Sequence, residues 1–559
     1  MKRWNGWGDE ATTYPLPASA ARYLAERVGK GPRLEDASLE QTLQTVPQSS
    51  LPHHPLISTD PEERLRHARG QSLPDWIALH SGQIQAFPDG VVYPTSNDEV
   101  RSLLDYAREA GVKLIPYGGG TSVVGHINPL PDREPVLTMD LSRLKRLLRL
   151  DETSHLATFE AGVSGPEIEK LLNARGYTLG HFPQSFELST LGGWIVTRSS
   201  GQQSYHYGRI EALFAGGHVE TPADSMDLPV HPASAAGPDL KQIVLGSEGR
   251  LGVVTQATLR VRPLAEFEAF YGVFFHNWEE GANAVREIAQ SGVGVSMLRM
   301  SNALETTTTL ALSGQDELVK WAGRGLRAVG FSDERALLVF GVTGTRRQAT
   351  QARLEALEIM RGHGGLMTGT AIGKMWKKSR FYAPYLRNTL WEAGYALDTL
   401  ETAIPWSEVK GTAEEVQKVL REGLEEVGER VLVFAHLSHV YNDGASIYFT
   451  YLYRRPSTSL TCTCGTGAGR TGSTISAGAS PASTANPEET LRRWQVLKEA
   501  ASQVILAHGG TISHQHGVGL DHAGYLAAEK GPLGMQTLES VIRLFDPNGM
   551  MNPGKLLNF

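Results

Sequence analysis

The sequence predicts an α+β fold of two mixed domains followed by a C-terminal segment that returns to the first. Three observations carry this expectation. Strand-like and helix-like runs alternate from about residue 88 onward. Dense glycine loops are confined to the first of these domains and to a last stretch at 508–524. Between 266 and 455 the alternation continues without such loops. The expected divisions are an N-terminal helical region over 1–87, a first domain over 88–265, a second over 266–505, and a closing segment over 506–559.

The elements follow in order. Gly90-Val91-Val92-Tyr93-Pro94 reads as a strand. Asn97-Asp98 offers the cap of a helix whose Val100, Leu103, Leu104 and Ala107 share one face. Gly111 supplies the left-handed residue that ends it. Val112 to Ile115 is a strand that feeds directly into Gly118-Gly119-Gly120. His155 to Val163 is a strand, and Pro166 opens a helix carrying Ile168, Leu171 and Leu172, closed by Gly176. In the strand Val253 to Val261, Leu259 and Val261 alternate with Arg260 and Arg262. Residues 456–487 are Ser, Thr, Gly, Ala and Pro with almost no large apolar side chain. Such a stretch buries too little surface to offset its ordering entropy, so a flexible insert is expected there. Helical pattern resumes at Pro487 and runs to about Ala507. A further helix and the turn Asp546-Pro547-Asn548-Gly549 close the chain.

Composition narrows the function. The chain has 559 residues, 53 basic against 60 acidic, for a net charge of −7 with His neutral. That balance argues against a general nucleic-acid binder. No run of about 18 apolar residues predicts a membrane span, and Met1-Lys2-Arg3-Trp4 does not open a secretory signal. A cytoplasmic protein is expected. The two cysteines, Cys462 and Cys464, exclude a disulfide framework and lie inside the 456–487 stretch.

Chemistry concentrates in the glycine loops. Pro116-Tyr117-Gly118-Gly119-Gly120-Thr121-Ser122 follows a strand directly. Three glycines let backbone N–H groups turn toward an anion, and two hydroxyls add donors. No Lys precedes the Ser/Thr, so this is not a Walker loop, and it lacks Rossmann spacing. By itself such a loop is as easily a tight turn. Two more segments join hydroxyls to glycines: Gln184 to Gly193 with Thr197-Arg198-Ser199-Ser200-Gly201, and Gly246-Ser247-Glu248-Gly249-Arg250-Leu251-Gly252-Val253-Val254.

This ordered set resembles the flavin site of the vanillyl-alcohol-oxidase superfamily of FAD-binding proteins. The resemblance implies that fold: two FAD-binding subdomains, an α/β cap and a C-terminal helical segment returning to the flavin. It implies FAD held by Pro116, Tyr117, Gly118, Gly119, Gly120, Thr121 and Ser122 at the pyrophosphate. The cradle is completed by Gln184, Ser185, Ser189, Thr190, Thr197, Arg198, Ser199, Ser200, Glu248, Gly249, Leu251, Gly252, Val253 and Val254. Members with covalent flavin often carry His where Thr121 stands, so non-covalent FAD is expected.

Within the superfamily the cap is most similar to the alkyl-dihydroxyacetonephosphate synthases, which exchange an acyl group for a fatty alcohol without net redox change. Trp4-Asn5-Gly6-Trp7-Gly8 resembles their entry motif, and His439 to Phe449 resembles their catalytic-tyrosine strand. The match implies Tyr448 as acid/base, Arg387 as the substrate-phosphate arginine and Arg299 as a second active arginine. By spacing alone, Tyr448 is a core residue of a strand and each arginine an exposed helix charge. Where the family has three consecutive histidines, this chain has His514-Gln515-His516, and Gln515 cannot exchange a proton at neutral pH. The resemblance gives His514 and His516 the orienting or stabilising role, with no metal. It also implies a small phosphate- or carboxylate-bearing substrate, lipid contact at a membrane surface, and a homodimer by analogy.

Two other readings fit the same sequence. FAD-linked D-2-hydroxy-acid dehydrogenases share the fold, and the ending from Phe545 to Lys555 looks more like theirs. In that reading His436, His439, His514 and His516 offer nitrogen to a divalent ion, but hard oxygen ligands are missing. The third reading is a flavoprotein whose active site has decayed.

Overall fold

The computed structural model describes residues 2–131, 134–312, 323–458 and 483–557. Cys462, Cys464 and most of the 456–487 stretch lie outside the described residues. The ends of that stretch are held: Ser457–Thr458 pairs with Ser483–Ala485, which pairs in parallel with Leu34–Glu35 near the N-terminus.

The first part of the chain builds two sheets. A four-stranded sheet has the order Ile57–Ser58, Gly90–Val92, Val136–Asp140, Lys113–Tyr117, with the last three parallel. The helix Asn97–Ala110 makes the crossover between Gly90–Val92 and Lys113–Tyr117 and buries Val100, Leu103, Leu104 and Ala107. Its cap is Ser96 rather than Asn97, because the extended Ser96 offers its hydroxyl to the Glu99 N–H at 3.2 Å. Gly111 takes φ +66°, the left-handed turn expected of it. A five-stranded antiparallel sheet has the order Ser225–Leu228, Phe214–Glu220, Val253–Arg260, Leu156–Glu160, Leu147–Asp151. The helix opened by Pro166, Gly165–Asn173, ends at Ala174, two residues before Gly176. Gly176 still takes φ +80°, in the turn beyond the helix.

The second part is one seven-stranded antiparallel sheet. Its order is Leu366–Met367, Phe267–Phe275, Ala336–Gly344, Met297–Ser301, Leu432–Val440, Gly444–Arg454, Tyr395–Pro405. Strand periodicity of two divides its faces. Leu338, Phe340, Val433, Ala435, Ile447, Phe449 and Tyr451 enter the largest core cluster, with Ile288, Ala352, Leu357, Val416, Leu497 and Ala501 from the covering helices. Each fully buried aliphatic side chain there contributes about 1.5–3 kcal/mol. Their strand neighbours Val339, Phe434, His436, Tyr448 and Thr450 line a cavity instead.

The C-terminal segment ties the two parts together. After the helix Pro487–Ala507 the chain runs through 510–519, forms the helical stretch Leu526–Phe545, kinked at Gly531, and returns to the four-stranded sheet, where Met551 bridges Leu114 in parallel. Buried Asp546 accepts the N–H groups of Met550 and Met551 at 3.0 and 2.7 Å, which fixes this return.

Candidate active site

A cavity of about 900 Å³ lies between the glycine loops and the open face of the seven-stranded sheet. The loop 116–122 forms one wall. A Cβ on Gly118 would overlap the Thr190 hydroxyl, and one on Gly119 the Leu188 carbonyl. The glycines are therefore demanded by backbone packing of one loop on another, as well as by any ligand. Among the described residues, no backbone acceptor takes the N–H groups of Gly118 through Ser122. A row of N–H groups without backbone acceptors, in a loop that lines a cavity, is suited to a pyrophosphate.

Of the residues singled out in the sequence, the structure brings Pro116 to Ser122, Gln184, Ser185, Ser189, Thr190, Thr197, Ser199 and Ser200 to this cavity. Glu248, Gly249, Gly252, Val254, Arg299, Arg387, Tyr448 and His516 line it as well. Four do not. Leu251 packs with Ile512 and Leu526, and Val253 with Leu114 and Met551. The Arg198 guanidinium bonds the Leu245 carbonyl and Gln242 Oε1. His514 sits behind the wall: its Nε2 meets the Tyr441 hydroxyl at 2.6 Å and its ring stacks on His439 at 5.0 Å. Arg198 and Glu248 both take positive φ, +52° and +53°, an uncommon choice for non-glycine residues.

The segment 514–519 is stitched in place by two buried carboxylates from different parts of the fold. Glu248, 4% exposed, accepts the N–H groups of Val518 and Gly519 at 2.5 and 2.8 Å. Its Oε2 is 3.2 Å from Nε2 of His126, whose Nδ1 meets the Ser122 hydroxyl at 2.9 Å. Glu401, 1% exposed, accepts the N–H groups of Gln515 and His516 at 2.7 and 2.9 Å. Arg209 adds a bond to the His514 carbonyl at 2.9 Å.

Tyr448 stands opposite His436 and Glu401 in strand register and stacks on the His436 ring at 5.1 Å. Its hydroxyl donates to Thr399 Oγ1 at 3.1 Å. Burial raises its pKa well above the ordinary phenol value, against the opposing effect of the Thr399 bond, so the phenol is protonated at neutral pH. Burial also lowers His436 and His439, which keeps both rings neutral.

The two arginines differ in their pairing. Arg299 donates to Glu305 Oε1 at 2.7 Å and lies 3.3 Å from His436 Nδ1, so its charge is already matched. Arg387 stacks on Trp76, 4.6 Å from the ring centre, and its Nη1 donates to the Gln71 carbonyl. Its Nε and Nη2 are buried without a hydrogen-bond partner, and the nearest carboxylate oxygen, on Asp398, is 3.9 Å away. Arg387 thus borders the cavity as a cation with donors to spare, the chemistry an anion would need there.

Sequence reasoning missed Glu401 and Glu305. The signal was present: a carboxylate inside an apolar strand or beside one must be paired when buried. The grouping of His436, His439, His514 and His516 as a divalent-ion site is not what the structure builds. Their nitrogens are turned to Glu305, Ser200, Tyr441 and Glu401, and among the described residues no group of three or more His, Cys, Asp or Glu is arranged around a common point.

Comparison with known proteins places this geometry. Residues 88–225 match the FAD binding domain family, and residues 264–462 with 466–556 match the family described as FAD linked oxidases, C-terminal domain. The second match alone covers more than half of the chain. The alkyldihydroxyacetonephosphate synthase of Dictyostelium discoideum is 27% identical over 599 residues, spanning 99% of this chain and 93% of its own length. That of Trypanosoma brucei brucei is 29% identical over 510 residues, spanning 90% and 78%. A solved alkyldihydroxyacetonephosphate synthase superposes with a TM-score of 0.80 at 25% identity, over 99% of this chain and 98% of the other. The open N–H row at 118–122 and the hydroxyl-rich cradle around it fit FAD, and this chain belongs to the family of FAD-linked oxidases, with FAD as its cofactor.

Proposed function

We propose that this chain is an alkyl-dihydroxyacetonephosphate synthase. It exchanges the acyl group of an acyl-dihydroxyacetonephosphate for a fatty alcohol and leaves an ether bond. The observation that carries this reading is Arg387, whose guanidinium has two nitrogens without a hydrogen-bond partner and which lines one cavity with Tyr448 and with Leu24, Leu310, Leu386, Phe434 and Leu452. One wall takes a phosphate and another takes hydrocarbon. The relatives over nearly the whole chain bear the same activity in their names.

Bound FAD supplies the electrophilic chemistry of the exchange. The chain supplies the rest. Arg387 receives the phosphate in a bidentate contact, pre-aimed by the Trp76 stack and the Gln71 carbonyl. Tyr448 begins protonated. It gives its proton to the carboxylate oxygen of the departing fatty acid and recovers one from the incoming alcohol hydroxyl, so the residue ends as it began. The neutral His436 ring beneath it fixes the phenol's plane. Thr121 offers flavin no imidazole for attachment, and we hold the cofactor non-covalent. The hydrocarbon substrates imply a visit to a membrane surface. No helix of the described residues is long and apolar enough to cross one.

Tyr448→Phe tests the assignment. It keeps the ring on His436 and removes only the hydroxyl. Turnover of acyl-dihydroxyacetonephosphate with a long-chain alcohol should stop while FAD content is unchanged. Retained turnover would remove Tyr448 from the proton path.

A further inference from the structure

We infer that Glu401 is a positioning residue of this active site: its buried carboxylate sets the seat of the 514–516 segment and serves as the fixed counter-charge behind His516. The inference rests on the synthase reading for its kinetic part only.

The geometry makes two separable demands on this side chain. Both N–H groups of the segment, from Gln515 and His516, converge on the same oxygen, Oε1, at 2.7 and 2.9 Å. The same oxygen is 3.4 Å from His516 Nδ1. The other oxygen, Oε2, has no hydrogen-bond partner and looks at His514 Nδ1, also unpartnered, across 3.8 Å. Glu401 lies outside the cavity wall, while His516 is part of it and sets its ring edge-on to Tyr448 at 5.8 Å. The carboxylate thus meets His516 from outside the cavity.

Burial alone would drive a proton onto Glu401. The neighbouring His516 and His514 rings and the Gln515 N–H outweigh it and hold the carboxyl well below its ordinary range. A carboxylate behind an imidazole selects the Nδ1–H tautomer and leaves Nε2 for the cavity. The same carboxylate is the fixed negative charge behind the ring that stands edge-on to Tyr448. Strand register explains why it can do both: Glu401 faces Tyr448 across Tyr395–Pro405 and Gly444–Arg454, so the tyrosine and the carboxylate beneath the histidine loop are held on one rigid pair of strands.

Because Oε1 takes both backbone bonds, Glu401→Gln separates the demands. The amide oxygen retains the seat, its nitrogen faces the open His514 Nδ1, and only the charge is lost. Glu401→Ala loses both. The experiment uses the FAD-loaded full chain labelled with ¹⁵N-histidine. The imidazole spectrum of His516 (assigned with His516→Asn) is compared with hydrogen exchange across 510–520. In the native protein His516 should show a single Nδ1–H tautomer. Glu401→Gln should keep native exchange protection and FAD content yet shift or mix the His516 signals. It should also lower kcat by at least about 10-fold with KM unchanged. Glu401→Ala should add fast exchange at Gln515 and His516. The proposal is overturned if Glu401→Gln leaves the His516 signals and kcat at native values, or if Glu401→Ala leaves 510–520 protected. If the native chain exchanges no acyl group at all, the synthase reading fails, while the tautomer and exchange results still decide the role of Glu401.

Discussion

Arg387→Met offers a loss of activity without a loss of stability. In the native protein Arg387 is a buried cation with two nitrogens unpaired. A phosphate oxygen on each gives two charge-assisted bonds of about 1.5–3 kcal/mol apiece. Their joint removal lowers kcat/KM by about 10²–10⁴-fold, at 1.4 kcal/mol per factor of ten. Met keeps an unbranched apolar stem against Trp76. Asp398 is not stranded by the change, because it keeps the Trp494 indole N–H at 2.7 Å. The substrate-free protein sheds the desolvation cost of a cation that meets Asp398 at 3.9 Å and loses that contact, so its Tm should stay near that of the native chain. Arg387→Lys, which keeps charge but not the fork, should fall between the two in kcat/KM. The assay is steady-state exchange at varied acyl-dihydroxyacetonephosphate beside thermal unfolding of the same samples. A kcat/KM within about threefold of native, in flavin-loaded Arg387→Met, refutes the anion-site argument. So does a collapse of Tm, which would make Arg387 a structural cation.

Three further outcomes follow from the same geometry. Gly119→Ala forces a Cβ into the Leu188 carbonyl and should expel FAD, whereas Gly111→Ala, with φ +66° and open space around it, should cost about 1 kcal/mol and keep FAD. Flavin absorbance per chain and Tm separate the two. Glu305 is buried, which raises its carboxyl, but the adjoining His436 ring and the Arg299 guanidinium outweigh that and pull it down to about 2. Its folded value thus lies below its unfolded one, so it contributes stability above about pH 4.5 that is lost as pH falls toward 2. Urea midpoints of Glu305→Gln should sit below native at pH 7, by an amount on the order of a buried pair's loss, a few kcal/mol, and converge with native on acidification. Arg198→Ala should leave FAD content near native, because that guanidinium bonds Leu245 and Gln242 and not the cavity; loss of flavin would place Arg198 in the cradle after all.

The fold was legible where periodicity and loop chemistry are local. The Asn97–Ala110 helix buries the four residues that its spacing nominates, and the left-handed Gly111 ends it. The cap shifts by one residue because Ser96 and Asn97 are both competent, and only the extended backbone at Ser96 decides between them. Tyr448 shows the limit of spacing. Alternation in Gly444–Arg454 gives two faces, but which face meets a core and which a cavity depends on what covers the sheet. The resemblance supplied that choice. His439 reaches the cavity wall beside Ser438 because the pairing of Leu432–Val440 with Gly444–Arg454 is irregular between Leu437 and His439, a break in register that sequence does not announce. Glu401 and Glu248 were legible as residues but not as partners. They lie 114 and 270 positions from the N–H groups they bind, and only the folded chain brings them to one segment.

The central claim is an exchange of acyl for alkyl without net reduction of the flavin. The direct measurement mixes the FAD-loaded protein anaerobically with acyl-dihydroxyacetonephosphate and a long-chain alcohol, and follows products by mass together with the visible flavin band. The account predicts an alkyl-dihydroxyacetonephosphate and one fatty acid per turnover, with the flavin oxidised at the end. A parallel sample given D-2-hydroxy acids should keep its colour. No ether product, together with rapid bleaching by a D-2-hydroxy acid, would contradict the account and make Arg387 the clamp of a carboxylate.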